Sequence, residues 1–221
     1  MSIAAAVIRF PGSNCDHDAL RALQLEPSIS AKYHWYQDKI LPGAYQLILI
    51  PGGFSFGDYL RAGAIAKLSP AMETLNTAIE AGAHVLGICN GFQILIESRM
   101  LPGYLTVNQN LKFISRTVKL RIEAEAFPWI KKSDIGSSIS TPIAHRFGNF
   151  QAPKMDRAEL NPVFRYEENP NGSFEDIAGI YRTVGKGSVL GLMPHPERAS
   201  FSPLRLSDGK LFWRGAAEAL R

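Results

Sequence analysis

The residues of this chain best suited to chemistry surround one cysteine. Cys89 stands in the pentapeptide Gly87-Ile88-Cys89-Asn90-Gly91, between an apolar run and a stretch with helical spacing. Glycines two positions before and after a nucleophile permit the tight strand-to-helix turn called a nucleophile elbow. Such a turn places the sulfur at a helix N-terminus, which favours a thiolate, and directs the N–H of Asn90 to the same point as an oxyanion donor. The alternative interpretation is a small buried core cysteine.

A thiol nucleophile requires a base, and His195 is the best placed of the five histidines. It lies between Pro194 and Pro196, which restrict its backbone, just after an apolar run. Glu197 could hold the second imidazole nitrogen as the third member of a triad. The alternative is a loop histidine beside a solvated glutamate. Cys89 and His195 both follow predicted strands, and open α/β sheets place their active sites at the carboxyl ends of strands.

A Gly-Gly pair in loop 51–55 follows another apolar run. The backbone N–H of Gly53 is the candidate for a second oxyanion donor, although most such pairs are simply turns. The loop is not a P-loop, because no Gly-Lys-Ser/Thr follows it. The sequence shows no nucleotide-binding fingerprint, so ATP chemistry is expected on another protein.

A metal site is disfavoured. Cys89, His195 and Glu197 could supply three ligands, but no Cys-x-x-Cys or His-x-x-x-His accompanies them. The second cysteine, Cys15, is interpreted as a buried structural thiol rather than a second nucleophile.

The elements that must position these residues alternate along the first hundred residues. Short apolar runs predict strands, and apolar residues at helical spacing predict helices, the first of them capped by Ser13 or Asn14. Strands with little polar alternation indicate a parallel sheet covered on both faces, which right-handed crossovers make doubly wound. The predicted strands are 3–9, 31–36, 45–50 and 84–88, and the predicted helices are 19–23, 70–81 and 91–99.

The second half of the chain has a different pattern. Residues 112–123 alternate between polar and apolar, which predicts antiparallel strands with one wet face. Further strands are predicted at 177–181 and 189–193, and a closing helix at 210–219. The sequence therefore predicts a single α/β domain over residues 1–221. Its fold class is a three-layer, doubly wound, mostly parallel, flavodoxin-like sheet with an added antiparallel strand segment.

Composition excludes several classes of protein. With 221 residues and 46% hydrophobic residues the chain can bury a core, which rules out wholesale disorder. A net charge of +4 without a dense basic run is weak evidence for nucleic acid, so no nucleic-acid partner is expected. Two cysteines do not make a disulfide-rich secreted protein and suggest a reducing compartment. Prolines and glycines interrupt the longest uncharged window, 40–57, and no basic leader precedes the first apolar run. We therefore expect no association with a membrane, and we expect a cytoplasmic location.

Three segments in this order resemble class I glutamine amidotransferases of the triad type. In that family a cysteine thiolate attacks the side-chain amide of glutamine, ammonia leaves, and a glutamyl thioester is then hydrolysed. The segments are Pro51-Gly52-Gly53, Gly87-Ile88-Cys89-Asn90-Gly91-Phe92-Gln93 and Pro194-His195-Pro196-Glu197.

Other segments narrow the resemblance to the PurQ family, the glutaminase subunits of phosphoribosylformylglycinamidine synthases. The resemblance implies that ammonia passes to a synthetase subunit (PurL), which converts formylglycinamide ribonucleotide to the amidine in purine synthesis. ATP and Mg are expected on that partner, and no cofactor is expected in this chain. A small subunit (PurS) usually bridges the glutaminase and the synthetase. The segments are Phe10-Pro11-Gly12-Ser13-Asn14-Cys15-Asp16, residues 53–63, Leu111-Lys112-Phe113, Pro142-Ile143-Ala144-His145, Asn169-Pro170-Asn171-Gly172-Ser173 and Met193-Pro194-His195-Pro196-Glu197-Arg198.

The resemblance also implies roles for individual residues. Cys89 would be the nucleophile, His195 the general base and acid, and Glu197 the orienting carboxylate. The expected oxyanion donors are Gly53 and Asn90, and the expected glutamine-binding residues are Gly52, Gln93, Asn108 and Phe113. The residues expected to face the synthetase are Phe54, Asp58 and Arg61 in loop 54–63, together with His145.

The sequence departs from the family in two places. Where the family commonly has His-Gly-Glu-Gly-Arg-Phe, residues 145–150 read His-Arg-Phe-Gly-Asn-Phe. Residues 107–111 read Val-Asn-Gln-Asn-Leu in place of the usual Arg-Asn-Ala-Ser-Leu. Neither departure touches the triad.

Three alternatives stay open from the residues alone. The first is another cysteine hydrolase, a peptidase or deglycase, which would have no need for loop 54–63. The second is a non-catalytic binding subunit, which the complete set of Cys89, His195 and Glu197 disfavours. The third is a glutaminase that supplies ammonia to a different synthetase.

Overall fold

The computed structural model describes residues 2–201 and 206–221, which form eleven strands and four α-helices. The strands are β1 Ile3–Arg9, β2 Ile29–Trp35, β3 Leu47–Ile50, β4 His84–Ile88, β5 Tyr104–Thr106, β6 Ile114–Ile122, β7 Ser138–His145, β8 Asn149–Gln151, β9 Pro162–Tyr166, β10 Ile177–Val184 and β11 Gly187–Leu192. The helices are α1 Asp16–Leu23, α2 Pro70–Glu80, α3 Asn90–Glu97 and α4 Lys210–Ala219. Within the described ranges, no helix is both long and apolar enough to cross a membrane.

Nine of the strands form one sheet in the order β2-β1-β3-β4-β11-β10-β9-β6-β7. The first five strands in this order are parallel. The other four join antiparallel to their neighbours. Strands β5 and β8 pair separately. The predicted fold class, a doubly wound parallel sheet with an added antiparallel segment, is confirmed, and the antiparallel strands extend the parallel sheet itself.

Helices cover both faces of the parallel half. The β1–β2 and β3–β4 crossovers proceed in opposite directions along the sheet, so right-handed connections place α1 and α2 on opposite faces. Helix α4 contacts α1, whereas α3 packs on β3, β4 and β11 and shares a contact with α2 at the short turn Ala66–Leu68. Every residue of β3, β4 and β11 is buried, because both faces of these strands are covered.

The antiparallel half has one covered face. Strands β6 and β7 alternate between buried and exposed residues over most of their length, as the polar–apolar alternation of 112–123 predicts. Strand β7 is the edge of the sheet, where Pro142 is tolerated because one side of the strand forms no ladder.

The prediction that Ser13 or Asn14 caps the first helix is wrong. Cys15 occupies the N-cap position, and its side chain does not cap the helix. The Ser13 hydroxyl instead accepts the N–H of Phe10, and the Asn14 N–H donates to the Gly12 carbonyl. Because α1 begins at Asp16, Ser13 and Asn14 lie before the N-cap position, in the turn after β1. The predicted strands 3–9 and 84–88 and the predicted helix 210–219 agree with the structure, and the other predicted ends shift by a few residues.

Candidate active site

Cys89 lies in a strained turn between a strand and a helix. Strand β4 ends at Ile88, helix α3 begins at Asn90, and Cys89 between them has φ 52° and ψ −103°. A positive φ is uncommon for a residue with a side chain, and such strain is concentrated at functional sites. The turn places the sulfur at the N-terminus of α3, as the elbow pattern predicts.

The two bracketing glycines are required by close packing. A Cβ on Gly91 would lie 2.0 Å from the carbonyl oxygen of Ile50 in β3, and one on Gly87 would lie 2.8 Å from the Gly91 carbonyl. Both contacts involve backbone atoms, which cannot shift without a large cost in free energy. The elbow therefore forms only because both positions lack a side chain.

The sheet register brings Cys89 beside the His195 segment. Strands β4 and β11 are parallel neighbours with Ile88 opposite Leu192, and the Cys89 N–H donates to the Leu192 carbonyl at 2.8 Å. His195 Nδ1 lies 2.6 Å from Glu197 Oε1, and both side chains are at most 2% exposed. An imidazole paired with a buried carboxylate has its tautomer and orientation fixed.

Charge around His195 favours the protonated ring. Burial alone lowers the pKa of His195, but Glu197, Cys89 and Cys15 outweigh it and raise that pKa well above its ordinary value. An imidazolium beside Cys89 would stabilise a thiolate, which is the reactive form of the sulfur. The arrangement can therefore support nucleophilic attack by sulfur and proton transfer by imidazole.

Two backbone N–H groups are available to an oxyanion. Within the described residues, neither the N–H of Gly53 nor that of Asn90 has a protein acceptor. Gly53 has φ +138°, and a Cβ there would lie 2.6 Å from the Gly12 carbonyl, so this approach also requires glycine. These are the two donors that the sequence predicts.

The Asn90 side chain links the elbow to loop 54–63. Its Oδ1 accepts the Ser55 N–H at 3.1 Å, and its Nδ2 donates to Asp58 Oδ1 at 3.2 Å and to Gln93 Oε1 at 2.9 Å. Burial raises the pKa of Asp58 to about 6, although the bond from Asn90 opposes the shift. Phe56, Asp58 and Leu60 all have positive φ, so the loop is strained next to the elbow.

The free edge of β7 lies against Cys89 and His195. The Pro142 carbonyl accepts the His195 N–H at 2.8 Å, and the Ala144 carbonyl lies 3.8 Å from Cys89 Sγ. Cys89 is 5% exposed, so its sulfur is nearly closed off from solvent. The sequence shows nothing that identifies these two carbonyl groups, because any residue could supply them.

His145 does not face the surface as predicted. Its side chain is 3% exposed and lies against Gly148, where a Cβ would be 2.2 Å from the ring. Of the other residues predicted to face a partner, Phe54 is half exposed and Arg61 is exposed, with its guanidinium paired to Glu97. Asp58 turns inward to Asn90.

The predicted glutamine-binding residues lie in different environments in the structure. The Asn108 amide is fully used within the protein and cannot also bind a ligand, as its four contacts show. Gln93 lies one turn into α3 and donates to the Phe147 carbonyl at 2.8 Å. Gly52 packs against the His195 ring, and a Cβ there would be 2.7 Å away. Phe113 is half exposed immediately before β6.

Cys15 lies closer to the triad than the sequence suggests. The donor atoms of Cys15, His195 and Glu197 lie within 4.8 Å of one another, a spacing that a metal ion could span. However, His195 and Glu197 already bond each other, and Arg198 Nη2 lies 3.0 Å from Cys15 Sγ, where its positive charge opposes a dication. The residues fit an acid–base pair with a supporting thiol better than a metal site. Parallel pairing of β1 with β3 is the signal that could have placed Cys15 beside loop 51–55.

Comparisons with known proteins agree with this geometry. The family profile of the CobB/CobQ-like glutamine amidotransferase domain matches residues 2–204. A chain in the structure of PurLQS from Thermotoga maritima is 41% identical, with all of both chains covered and a TM-score of 0.91.

Two more distant structures share the fold alone. A glutamine amidotransferase of Thermotoga maritima is 20% identical over 90% of this chain and 78% of its own, with a TM-score of 0.57. The glutaminase domain of a Trypanosoma brucei CTPS, with bound acivicin, is 13% identical over 98% of this chain and 94% of its own, with a TM-score of 0.62. Because the family profile covers nearly the whole chain and the PurLQS chain matches it end to end, the protein belongs to the glutamine amidotransferase family.

Proposed function

We propose that this chain is the glutaminase subunit of a phosphoribosylformylglycinamidine synthase and supplies ammonia to a separate synthetase subunit. The observation that carries the proposal is the full-length match, at 41% identity, to a chain of PurLQS from Thermotoga maritima. The elbow cysteine beside the His195–Glu197 pair supports the chemistry independently, because it contains every group that amide hydrolysis through a thioester requires.

In the first half of the reaction, Cys89 Sγ attacks the side-chain amide carbon of glutamine. The N–H groups of Gly53 and Asn90 bind the oxyanion that develops on the amide oxygen. Protonated His195 gives its proton to the amide nitrogen, the C–N bond breaks, and ammonia leaves. Glu197 accepts a hydrogen bond from Nδ1 at 2.6 Å and keeps Nε2 directed to the reacting atoms.

In the second half, water hydrolyses the glutamyl thioester. His195 is now neutral, and its Nε2 removes a proton from the water. The oxygen attacks the thioester carbon, the same two N–H groups bind the oxyanion again, and the Cys89 thiolate leaves. Glutamate departs and the proton on His195 restores the starting pair.

Ammonia is then consumed on a partner. The proposed partners are a PurL-type synthetase, which uses ATP and Mg to convert formylglycinamide ribonucleotide to the amidine, and a small PurS-type subunit. This chain is proposed to need no cofactor of its own. Two free cysteines, one of them the proposed nucleophile, support a reducing compartment, and we place the reaction in the cytoplasm.

Loop 54–63 is the proposed contact with the synthetase. Phe54, Tyr59 and Leu60 expose apolar side chains, and Leu60 is 92% exposed. The same loop bonds Asn90 through Ser55 and Asp58, so a partner seated on it would act directly on the oxyanion donors.

The test is glutamate release from glutamine, measured with the chain alone and with its host's synthetase and small subunits, formylglycinamide ribonucleotide, Mg and ATP. Release should rise in the complete mixture. Cys89→Ala should abolish it while ammonia-dependent amidine synthesis persists, because the synthetase does not use the thiol.

Two results would contradict the proposal at different levels. Release that survives Cys89→Ala would refute the nucleophile. Release that vanishes in the variant but ignores the synthetase and its substrates would keep the glutaminase and refute the purine assignment. Asn76→Ala, on the exposed face of α2, is the matched control for handling of the variants.

A further inference from the structure

The Cys15 sulfur borders the histidine of the triad, although the proposed reaction does not use it. Its sulfur and the donor atoms of His195 and Glu197 lie within 4.8 Å of one another, and all three residues are buried. A Cβ built on Gly52 would lie 2.7 Å from His195 Cε1, 3.4 Å from His195 Nδ1 and 3.2 Å from Cys15 Sγ. The sulfur and the Nδ1–Cε1 edge of the imidazole therefore line the same narrow space beside the Gly52 backbone.

Few polar contacts fix the imidazole of His195. The His195 N–H donates to the Pro142 carbonyl at 2.8 Å, which holds the main chain. On the ring, Nδ1 bonds Glu197 Oε1 at 2.6 Å, and Nε2 has no partner among the described residues. One hydrogen bond leaves a ring free to pivot about it, whereas a catalytic group must be held within about 0.5 Å and 10–20°. Packing against the edge of the ring has to supply the remaining constraint.

The sulfur that packs there is itself held in place. Arg198 Nη2 donates to Cys15 Sγ at 3.0 Å, and the Cys15 N–H donates to the Gly52 carbonyl at 3.3 Å. Arg198 Nε in turn lies 3.5 Å from Asp18 Oδ2 in α1. These contacts tie the start of α1 to the segment that carries His195. The sulfur is therefore a fixed part of the site rather than a mobile side chain.

Cys15 also acts on the charge of the ring. Burial lowers the pKa of His195, whereas Glu197, Cys89 and Cys15 raise it, and the balance leaves that pKa well above its ordinary value. The protonated ring is the form that gives a proton to the departing ammonia. The titratable and charged groups around His195, on its own segment and on the neighbouring elements, are Glu197, Arg198, Cys15 before α1, Cys89 in the elbow and His145 in β7.

We propose that Cys15 is a positioning residue for His195: its sulfur, fixed by Arg198, supports the Nδ1–Cε1 edge of the imidazole and keeps the ring on Glu197. The inference rests on the proposed function, because it concerns the proton transfers of His195. Cys15 forms no bond to glutamine and transfers no proton. Its contribution is the orientation of the ring and the stability of its protonated form.

Two substitutions remove this support to different extents. Cys15→Ala deletes the sulfur and leaves the ring edge without a neighbour at that point. Cys15→Ser keeps an acceptor for Arg198 on a shorter bond and should behave as an intermediate. Ala22→Gly is the matched control, because Ala22 is buried near the other end of α1 and glycine weakens a helix by about 1 kcal/mol without altering the site.

The first measurement follows the protonation of His195 directly. Each chain is labelled with 15N-histidine, and the ring signals are recorded by NMR against pH, with His195 assigned from a His195→Gln variant. We expect His195 to lose its proton at lower pH in Cys15→Ala than in the unchanged chain. Cys15→Ser should lie between them, and Ala22→Gly should match the unchanged chain. This measurement needs neither glutamine nor a partner, so it does not depend on the proposed function.

The second measurement is glutamate release by the assembled complex with its synthetase, Mg, ATP and formylglycinamide ribonucleotide. Cys15→Ala should lower kcat and kcat/KM together, by about 10-fold to 10²-fold, because a displaced ring fails in the transition state. KM for glutamine should stay the same, since Cys15 does not contact the substrate. Cys15→Ser should lose less, and Ala22→Gly should retain full activity.

Three results would overturn the inference. They are a normal kcat in Cys15→Ala, an unchanged His195 titration in that variant, and an equal loss of kcat in Ala22→Gly, which would assign the defect to a weakened helix. If the unchanged complex releases no glutamate, the proposed function fails, and the NMR titration still shows whether Cys15 acts on His195. Circular dichroism shows whether Cys15→Ala folds. If it does not, Cys15→Ser carries the test, and identity with the unchanged chain in both measurements would overturn the inference.

Discussion

Asn90→Ala should disable the oxyanion hole without touching the triad. The side chain makes three hydrogen bonds, to Ser55 N–H, Asp58 Oδ1 and Gln93 Oε1, and Asn90 itself is fully buried. At about 0.5–1.5 kcal/mol for each of the three bonds, the network contributes roughly 1.5–4.5 kcal/mol. The Ser55 N–H would also be left buried without an acceptor, which places the expected loss at the upper end of that range.

The effect on catalysis follows from what the network holds. Asn90 supplies one proposed oxyanion donor. Its side chain also holds loop 54–63, which begins immediately after Gly53, the other proposed donor. Displacing one such donor typically lowers turnover by about 10²–10³-fold. The assay is glutamate release by the assembled enzyme together with urea unfolding of the isolated chain. Asn76→Ala is the control, since among the described residues its side chain bonds only to Glu80, at an exposed position. A kcat for Asn90→Ala within about threefold of the unchanged chain would refute the reasoning.

Three further predictions follow from the site. Cys89→Gly should be more stable than Cys89→Ala by about 1–3 kcal/mol in urea unfolding, because glycine adopts φ 52° without strain; equal stability would show that the elbow is unstrained. Asp58→Asn should stabilise the isolated chain by about 1 kcal/mol at pH 8 and by nothing below about pH 4. The raised pKa of about 6 means that the folded state binds the Asp58 proton more tightly, so the charged carboxylate destabilises the fold as pH rises through 6. His195→Ala should lower kcat for glutamate release at least tenfold more than Glu197→Ala, since the imidazole transfers protons and the carboxylate orients it. Equal losses would show that Glu197 does more than orient the imidazole.

The parallel half of the fold was predictable because its signals are local. Apolar runs with no alternation mark β3 and β4, and both strands are buried on both faces. Gly87 and Gly91 mark the elbow because no other residue fits against β3 and α3 there. The adjacency of Cys89 to His195 follows from the parallel pairing of two strands, a long-range contact that the rule for strand ends anticipates.

The rest of the site depends on contacts that residue types do not encode. Strand β7 contains Pro142, which argues against a strand unless that strand is an edge, and edge position is a property of the whole sheet. Its carbonyl groups at Pro142 and Ala144 hold His195 and approach Cys89 regardless of their side chains. The resemblance to the PurQ family predicts that His145 faces the synthetase, whereas its ring is buried and bonded to Asn108 inside the protein.

The most direct test of the central claim is the site of covalent modification by a glutamine analogue with an alkylating chloroketone side chain. The chain has two cysteines, and both are free and buried, so peptide mapping by mass spectrometry identifies the reactive one without ambiguity. The account predicts one label per chain, on Cys89, prevented by excess glutamine and lost in Cys89→Ala. Labelling of Cys15 instead, or labelling of Cys89 that glutamine does not prevent, would contradict the assignment of Cys89 as the nucleophile of a glutaminase.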